Sequence, residues 1–326
     1  MVGFVVGLLV ATVQSGSSLI YASLGELVAE RAGILNLGVE GMMLVGALCG
    51  FVTTVVTGNP YLGFLVGAVA GMAFSSIHAF LSITLKSDQV ISGVMLTLLG
   101  TGLTTFFGKP WVSKSIDGFG RVTIPVAVKL PYLGPALFNN TVPDYLAILL
   151  VPAVWYFLGH TNLGLEISAI GDDPETADTM GVHVFRLQYL AVLIGGALAG
   201  AAGAQLSLAF SKLWIGGMTA GRGWIAIALV IFAQWRPSRA IVGAYLFGGI
   251  SALAIRTQGI SFAVGHAFPF AGVINPALAF LTNSIILSTY PYVATIIVLA
   301  VVSQGELRER IGAPNALLQA YSRELD

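Results

Sequence analysis

Long runs without a single charge constrain this chain more than any other feature. Residues 2–25 and 61–85 contain no Asp, Glu, Lys or Arg, and neither does the whole stretch 271–303. At a rise of ~1.5 Å per residue, about 20 such residues cross the hydrocarbon of a bilayer. Lipid offers no hydrogen bonds, so runs of this kind satisfy their backbones internally, as helices. Charged residues make up only 9% of the 326 residues, whereas soluble domains carry roughly 25%. The formal net charge is zero, so nothing in the balance of charge suggests nucleic acid. The single Cys49 supports no disulfide framework or metal cluster. No basic region precedes the first apolar run, which is therefore expected to be a retained span and not a cleaved signal.

The charges fall between the apolar stretches. Spans are expected over residues 2–25, 34–57, 61–85, 90–107, 145–159, 187–211, 224–235 and 240–255, with one more inside 271–303. Pro276 and Pro291 interrupt that last run, which predicts a half-helix or re-entrant segment near Pro276 followed by the final crossing. The expectation is an all-α, polytopic transmembrane bundle of about nine crossings. Residues 1–303 form a single transmembrane domain, and residues 304–326 form a polar, charged tail. Gly46 with Gly50, Gly63 with Gly67 and Gly71, and Gly196 with Gly200 place small residues on single helix faces, where backbones can approach closely.

One connection stands apart. Residues 164–181 hold five acidic side chains, Glu166, Asp172, Asp173, Glu175 and Asp178, between two apolar runs. Asp173 suits an N-cap, Pro174 the first helical position, and Glu175 the positive end of the dipole. Gly181 is placed to end this helix after about two turns. A short acidic helix with its own caps can dock on a soluble partner or serve as an ordinary capped loop.

Within the apolar runs, Glu40 is the carboxylate that lies well inside a span, and intramembrane ionisable groups mark functional sites by default. Asn36 precedes it by four residues, which puts both on one helix face, and Asn36 is also a candidate cap for that helix. The other reading places Glu40 near the interface, bonded to backbone or to Arg31. Gln205 and Asn275 are polar groups in apolar surroundings, suited to the pathway or to interhelical hydrogen bonds. Asn275 precedes the Pro276 break, where a broken helix can aim backbone groups at a solute. His78 is expected to be a packed, hydrogen-bonded imidazole, and Trp214 and Trp224 belt residues at interface depth. If the acidic stretch and the tail share a side, Lys and Arg number 8 on that side and 7 on the other, which barely orients the chain.

Three blocks carry a resemblance. Residues 30–46, ERAGILNLGVEGMMLVG, resemble the signature of permease subunits of bacterial ABC importers in the nucleoside and simple-sugar branch, related to the ribose and branched-chain amino-acid permeases. Residues 169–181, AIGDDPETADTMG, are similar to that family's cytoplasmic coupling motif. Residues 218–226, MTAGRGWIA, with Trp235 and Pro237, resemble a block of the nucleoside-type branch. Relatives more often carry Asn where Asp173 stands, and usually Arg where Ser168 stands.

The resemblance implies a transport subunit of the bacterial inner membrane, with residues 164–181 and the tail cytoplasmic. It implies a cytoplasmic ATPase that binds ATP and Mg, a second permease subunit with a heterodimer expected, and an extracytoplasmic substrate-binding protein. No GxxxxGK[ST] phosphate loop occurs in the chain, so any ATPase is a partner and the chain itself needs no cofactor or metal. Coupling is expected from Asp172, Asp173, Pro174, Glu175, Ala177, Asp178, Met180 and Gly181, with Ala177 and Met180 as the apolar contacts. The pathway is expected to use Asn36, Glu40, Gln205 and Asn275. Nucleosides are the expected cargo, with a simple sugar or another small polar solute as the alternative. An ion-coupled secondary transporter with Glu40 titrating is a reading of a different class. HExxH and GxSxG are absent from the chain, which leaves an intramembrane enzyme without a motif.

Overall fold

The first helix, α1 (Val2–Arg31), runs uncharged for most of its length and ends on Glu26, Glu30 and Arg31. The computed structural model describes residues 2–125, 128, 130–131, 133–257, 275–276, 278, 280–281, 283–302 and 312–322. After a turn through residues 32–38 come α2 (Val39–Thr57), α3 (Pro60–Ala79, continued by the π-turn Phe80–Thr84) and α4 (Gln89–Gly108). Asn59 caps α3 through its side-chain oxygen and Asp88 caps α4, each in a short polar turn.

The polar connection that follows holds β1 (Arg121–Thr123), α5 (Leu133–Phe138) and β2 (Asn139–Thr141), and the two strands pair antiparallel. Then come α6 (Val142–His160), α7 (Asn162–Asp172), α8 (Pro174–Thr179) and α9 (Val184–Gln205, continued by the π-turn Leu206–Phe210). The chain continues through α10 (Arg222–Ala233), α11 (Pro237–Thr257) and α12 (Ser284–Val302).

Among the described residues seven helices are long and apolar enough to cross a membrane: α1, α2, α3, α4, α6, α9 and α11. The all-α polytopic bundle is therefore as expected. The span assigned to residues 224–235 becomes α10, whose 12 residues extend only ~18 Å of the ~30 Å of hydrocarbon. Residues 275–276, 278 and 280–281 are helical, and the rest of the half-helix expected near Pro276 lies outside the described residues.

Glycines set the centre of the bundle. A Cβ on Gly67 would meet the Gly46 carbonyl at 2.7 Å, and one on Gly50 the Gly63 carbonyl at 2.9 Å. Gly71 faces Gly196 and Gly200 in the same way. All three glycine patterns thus lie where α2, α3 and α9 cross, and close backbone approach supplies the van der Waals contact that lipid cannot. His78 is fully buried, its Nδ1 3.0 Å from Ser92 Oγ and its Nε2 3.1 Å from the Leu35 carbonyl.

Glu26 and Glu30, near the end of α1, are buried within the protein, each only 1% exposed. Glu26 Oε1 accepts from the Asn36 amide at 2.8 Å, and Glu30 Oε2 from Trp235 Nε1 at 2.6 Å. The expectation for Trp214 is corrected: it is a core residue beside Phe51, Phe119 and Leu208, whereas Trp224 is exposed as a belt residue would be.

Candidate functional site

Two sites emerge, one at the end of the bundle and one in its interior. At the end, Thr161 caps α7 by accepting from the Gly164 amide at 3.1 Å. Gly164 lies flush against the Phe157 carbonyl, and Gly171 against that of Arg31. Ile167 and Ile170 are buried, so α7 lies across the ends of α1, α6 and α9.

The chain then breaks for α8 as its sequence dictates. The Asp173 carboxylate accepts from the Thr176 amide at 3.1 Å and from the Thr176 hydroxyl at 2.5 Å. Those donors hold the Asp173 carboxyl below the usual carboxylate range. Pro174 occupies the first turn, and Gly181, with φ +90°, receives the chain in the left-handed region that favours glycine. Asp172, Asp173, Glu175 and Met180 are exposed, Met180 at 80%. Ala177 departs from expectation. It is 5% exposed and packs inward, so it is no outward contact.

The tail belongs to this surface. Its Ala316 amide donates to the Gly171 carbonyl at 2.9 Å, and the Tyr321 hydroxyl to Asp178 Oδ2 at 2.9 Å. Lys86 Nζ donates to Ser322 Oγ at 2.8 Å, and the Tyr321 ring lies against Phe185. Residues 312–322 therefore strap α7 and α8 to the turn between α3 and α4. Beside them, Arg31, Trp155, Ser168, Trp235 and Arg236 line a cavity of about 400 Å³.

The interior site centres on Glu40, which is 7% exposed. Its Oε1 accepts from Thr219 Oγ1 at 2.6 Å and the Gly221 amide at 2.8 Å, and its Oε2 from the Gly223 amide at 2.6 Å. A carboxylate thus sits on the N-terminus of α10, where free amides and the helix dipole favour negative charge. Gly223 makes this possible, because a Cβ there would stand 2.5 Å from Glu40 Cα. Arg222 Nη1 donates to the Ser15 carbonyl at 2.9 Å and to the Ser15 and Ser18 hydroxyls at 3.1 Å each. Ser18 precedes Arg31 by 13 residues, ~20 Å along α1, so α10 starts deep inside the bundle.

Asn36 is not on the Glu40 face. It lies in the turn before α2, where its Oδ1 accepts from the Gly38 amide at 2.9 Å. Gln205 is fully buried and donates to the Gln14 carbonyl at 3.0 Å and to Asp144 Oδ1 at 2.9 Å, away from Glu40. Asn275 is half-buried. The sequence reading passed over Asp144 and Arg222 because both stand within two residues of an expected span edge, where a charge needs no explanation. The signal was there for Arg222, a lone cation among glycines at the head of a short span. Among the described residues no group of three His, Cys, Asp or Glu could hold a metal.

A bundle of uncharged helices, broken by a half-length helix with an ion-holding N-terminus and carrying a capped acidic helix at one end, is built as a membrane transport subunit. The chain belongs to the family of branched-chain amino acid transport system permease components, which matches residues 8–282. It is 62% identical, over 99% of both chains, to a putative glucose ABC transporter permease of Haloferax volcanii. A nucleoside ABC transporter permease of Lactococcus lactis is 33% identical over 86% of this chain and 87% of its own. A guanosine ABC transporter permease of Bacillus subtilis is 33% identical over 75% of this chain and 81% of its own. No solved structure matches the chain. It is accordingly a multi-pass membrane permease subunit of an ABC transporter, and not an enzyme.

Proposed function

We propose that this chain forms part of the pathway of an ATP-driven importer for a neutral, sugar-bearing solute, with α8 as its contact to a cytoplasmic ATPase. ATP and Mg bind that partner, a second permease subunit completes the pathway as a heterodimer, and an extracytoplasmic binding protein delivers the cargo. The carrying observation is the full-length 62% identity to the putative glucose permease, together with the fully capped and exposed α8. Nucleosides are the cargo that the sequence blocks and the 33% identical relatives support. The higher identity favours a hexose.

Asp172, Asp173, Pro174, Glu175, Asp178, Met180 and Gly181 form the coupling surface, with Ala177 seating it on the bundle. Arg31 and Arg236, in the cavity beside Ser168, supply the basic character that an Arg at that position gives relatives. Nine crossings follow if α10, with the segment leading into it, and α12 each cross. The N-terminus is then outside, and α8, the turn before α11 and the tail are inside. Of the pathway residues Asn36, Glu40, Gln205 and Asn275, Glu40 acts by seating the head of α10.

Reconstitution of the chain with its ATPase, second permease and binding protein tests the reading. Glucose or guanosine uptake should require ATP, and the better cargo should compete out the other. Uptake driven by an ion gradient without ATP would overturn it. Cysteines at exposed Ser115 and Ser238, on a Cys49-free background, should label from outside and inside respectively. Reversed labelling would overturn the topology.

A further inference from the structure

Arg222 has donors to spare. Its Nη1 is occupied by Ser15 and Ser18, but Nε and Nη2 have no hydrogen bond among the described residues. A guanidinium carries five N–H donors, and this half-buried one leaves an edge free to meet water or a ligand. The idle edge has somewhere to point. Arg222, Ile225, Ser251, Leu287 and Tyr292 line a cavity of about 400 Å³ between α10, α11 and α12. That volume lies within the range of roughly 300–1,000 Å³ typical of small-molecule sites.

The chemistry of the lining is mixed in a useful way. Tyr292 donates its hydroxyl to the Ala220 carbonyl at 2.6 Å, leaving the phenol oxygen to accept and the ring to present a flat apolar face. No hydrogen bond commits the Ser251 hydroxyl among the described residues. Donors from a guanidinium, a hydroxyl of either sense and an aromatic face match a ring that carries hydroxyls on its edge and C–H groups on its faces.

Charge narrows the class. The Arg222 side chain feels the carboxylate of Glu40, which the first amides of the same helix hold in place. These two opposite charges offset each other at the head of α10. A phosphorylated or carboxylated solute would bring an uncompensated charge to this depth, whereas a neutral one would not.

We propose that this cavity is the resting site of the imported solute within the membrane, and that it takes a neutral hydroxylated ring, either a free hexose or the ribosyl part of a nucleoside. Arg222 donates to the ring hydroxyls, Ser251 reads one of them and Tyr292 covers a face. The contacts are few, as a conduit requires, since a tight site would not release its cargo. This inference rests on the importer reading and assigns that reading its contact residues.

The test uses the assembled complex in proteoliposomes. Ser251→Cys on a Cys49→Ala background is reacted with a small thiol reagent, with and without glucose, guanosine, glucose 6-phosphate or guanosine monophosphate. The transported neutral solute should slow labelling several-fold, and the phosphorylated forms should leave it unchanged. Protection by glucose alone assigns a hexose, and protection by guanosine alone assigns a nucleoside. Ser251→Leu, which fills the cavity and removes its hydroxyl, should cut uptake about tenfold, the upper scale of one lost neutral hydrogen bond. That variant should still co-purify with its ATPase as a monodisperse complex, which separates a filled cavity from a misfolded chain. If the unaltered complex transports but Ser251→Leu also transports normally, or no solute protects the cysteine, the cavity assignment fails alone. If the unaltered complex imports neither sugar nor nucleoside, the importer reading fails first.

Discussion

Acidic residues serve opposite purposes at the two ends of this molecule's chemistry. On α8 the carboxylates of Asp173 and Glu175 are exposed, and they shape a surface. At the head of α10 the carboxylate of Glu40 is buried and accepts three hydrogen bonds, and it shapes the interior. Both are helix N-terminal anions. One comes from its own helix and is replaceable by water. The other comes from a distant helix, and nothing can replace it. Local capping makes a detachable part, and long-range capping makes a keystone.

The strongest way to break this comparison is Glu40→Leu. It leaves the Thr219 hydroxyl and two backbone amides unpaired in the interior, at a cost of about 3 kcal/mol or more. Loss of monodisperse protein in detergent, with a Tm well below that of the unaltered chain, is expected. Glu40→Gln should fall between the two. A leucine variant that melts normally would end the keystone reading.

Gly67→Val should come next, since its side chain would press on the Gly46 carbonyl. Overpacking of this kind costs about 1–3 kcal/mol, and a helix-association assay or Tm would register it. Tyr321→Phe removes the strap's hydroxyl from Asp178. A change within about 0.5–1.5 kcal/mol is expected, seen as faster proteolysis of the tail before any global unfolding.

The Asp173 cap gives a pH window. Because its carboxyl is held below the usual carboxylate range, the cap is fully present above that range. It is lost only as pH falls through the lowered value. Protection of the Thr176 amide, relative to a free peptide at the same pH, should persist at mildly acidic pH and be lost in stronger acid. Protection already lost at the ordinary Asp pKa would remove the cap's role.

Met180→Glu should move stability least of all. The side chain touches little, so Tm should be unchanged, yet ATP hydrolysis should lose its link to uptake. Normal uptake by this variant would take α8 out of the coupling surface. Ala177→Arg is a poorer probe, because burial of Ala177 makes it disturb the seat of the helix as well.

Much of α8 was legible in advance because its determinants are neighbours in sequence. Asp173, Pro174 and Gly181 each act within one or two turns, and the structure uses each as local chemistry predicts. The inward turn of Ala177 was not legible, since it depends on where α7 and α9 lie. Asn36 and Glu40 show the same limit. Their spacing fits one helix face, but the chain spends residues 32–38 in a turn, so the two point to different partners.

The sequence alone determined that the chain is a membrane bundle, where its helices run, which faces bring backbones close and where an acidic helix sits between spans. Charge-free length, glycine spacing and capping act over a few residues, and lipid enforces them without help. Only the tertiary structure decided that Glu40 seats α10, that Gln205 meets Asp144, that Arg222 borders a cavity and that the tail straps α7 and α8. Those outcomes join residues far apart in the chain, where a polar group in lipid must find some partner but nothing local says which.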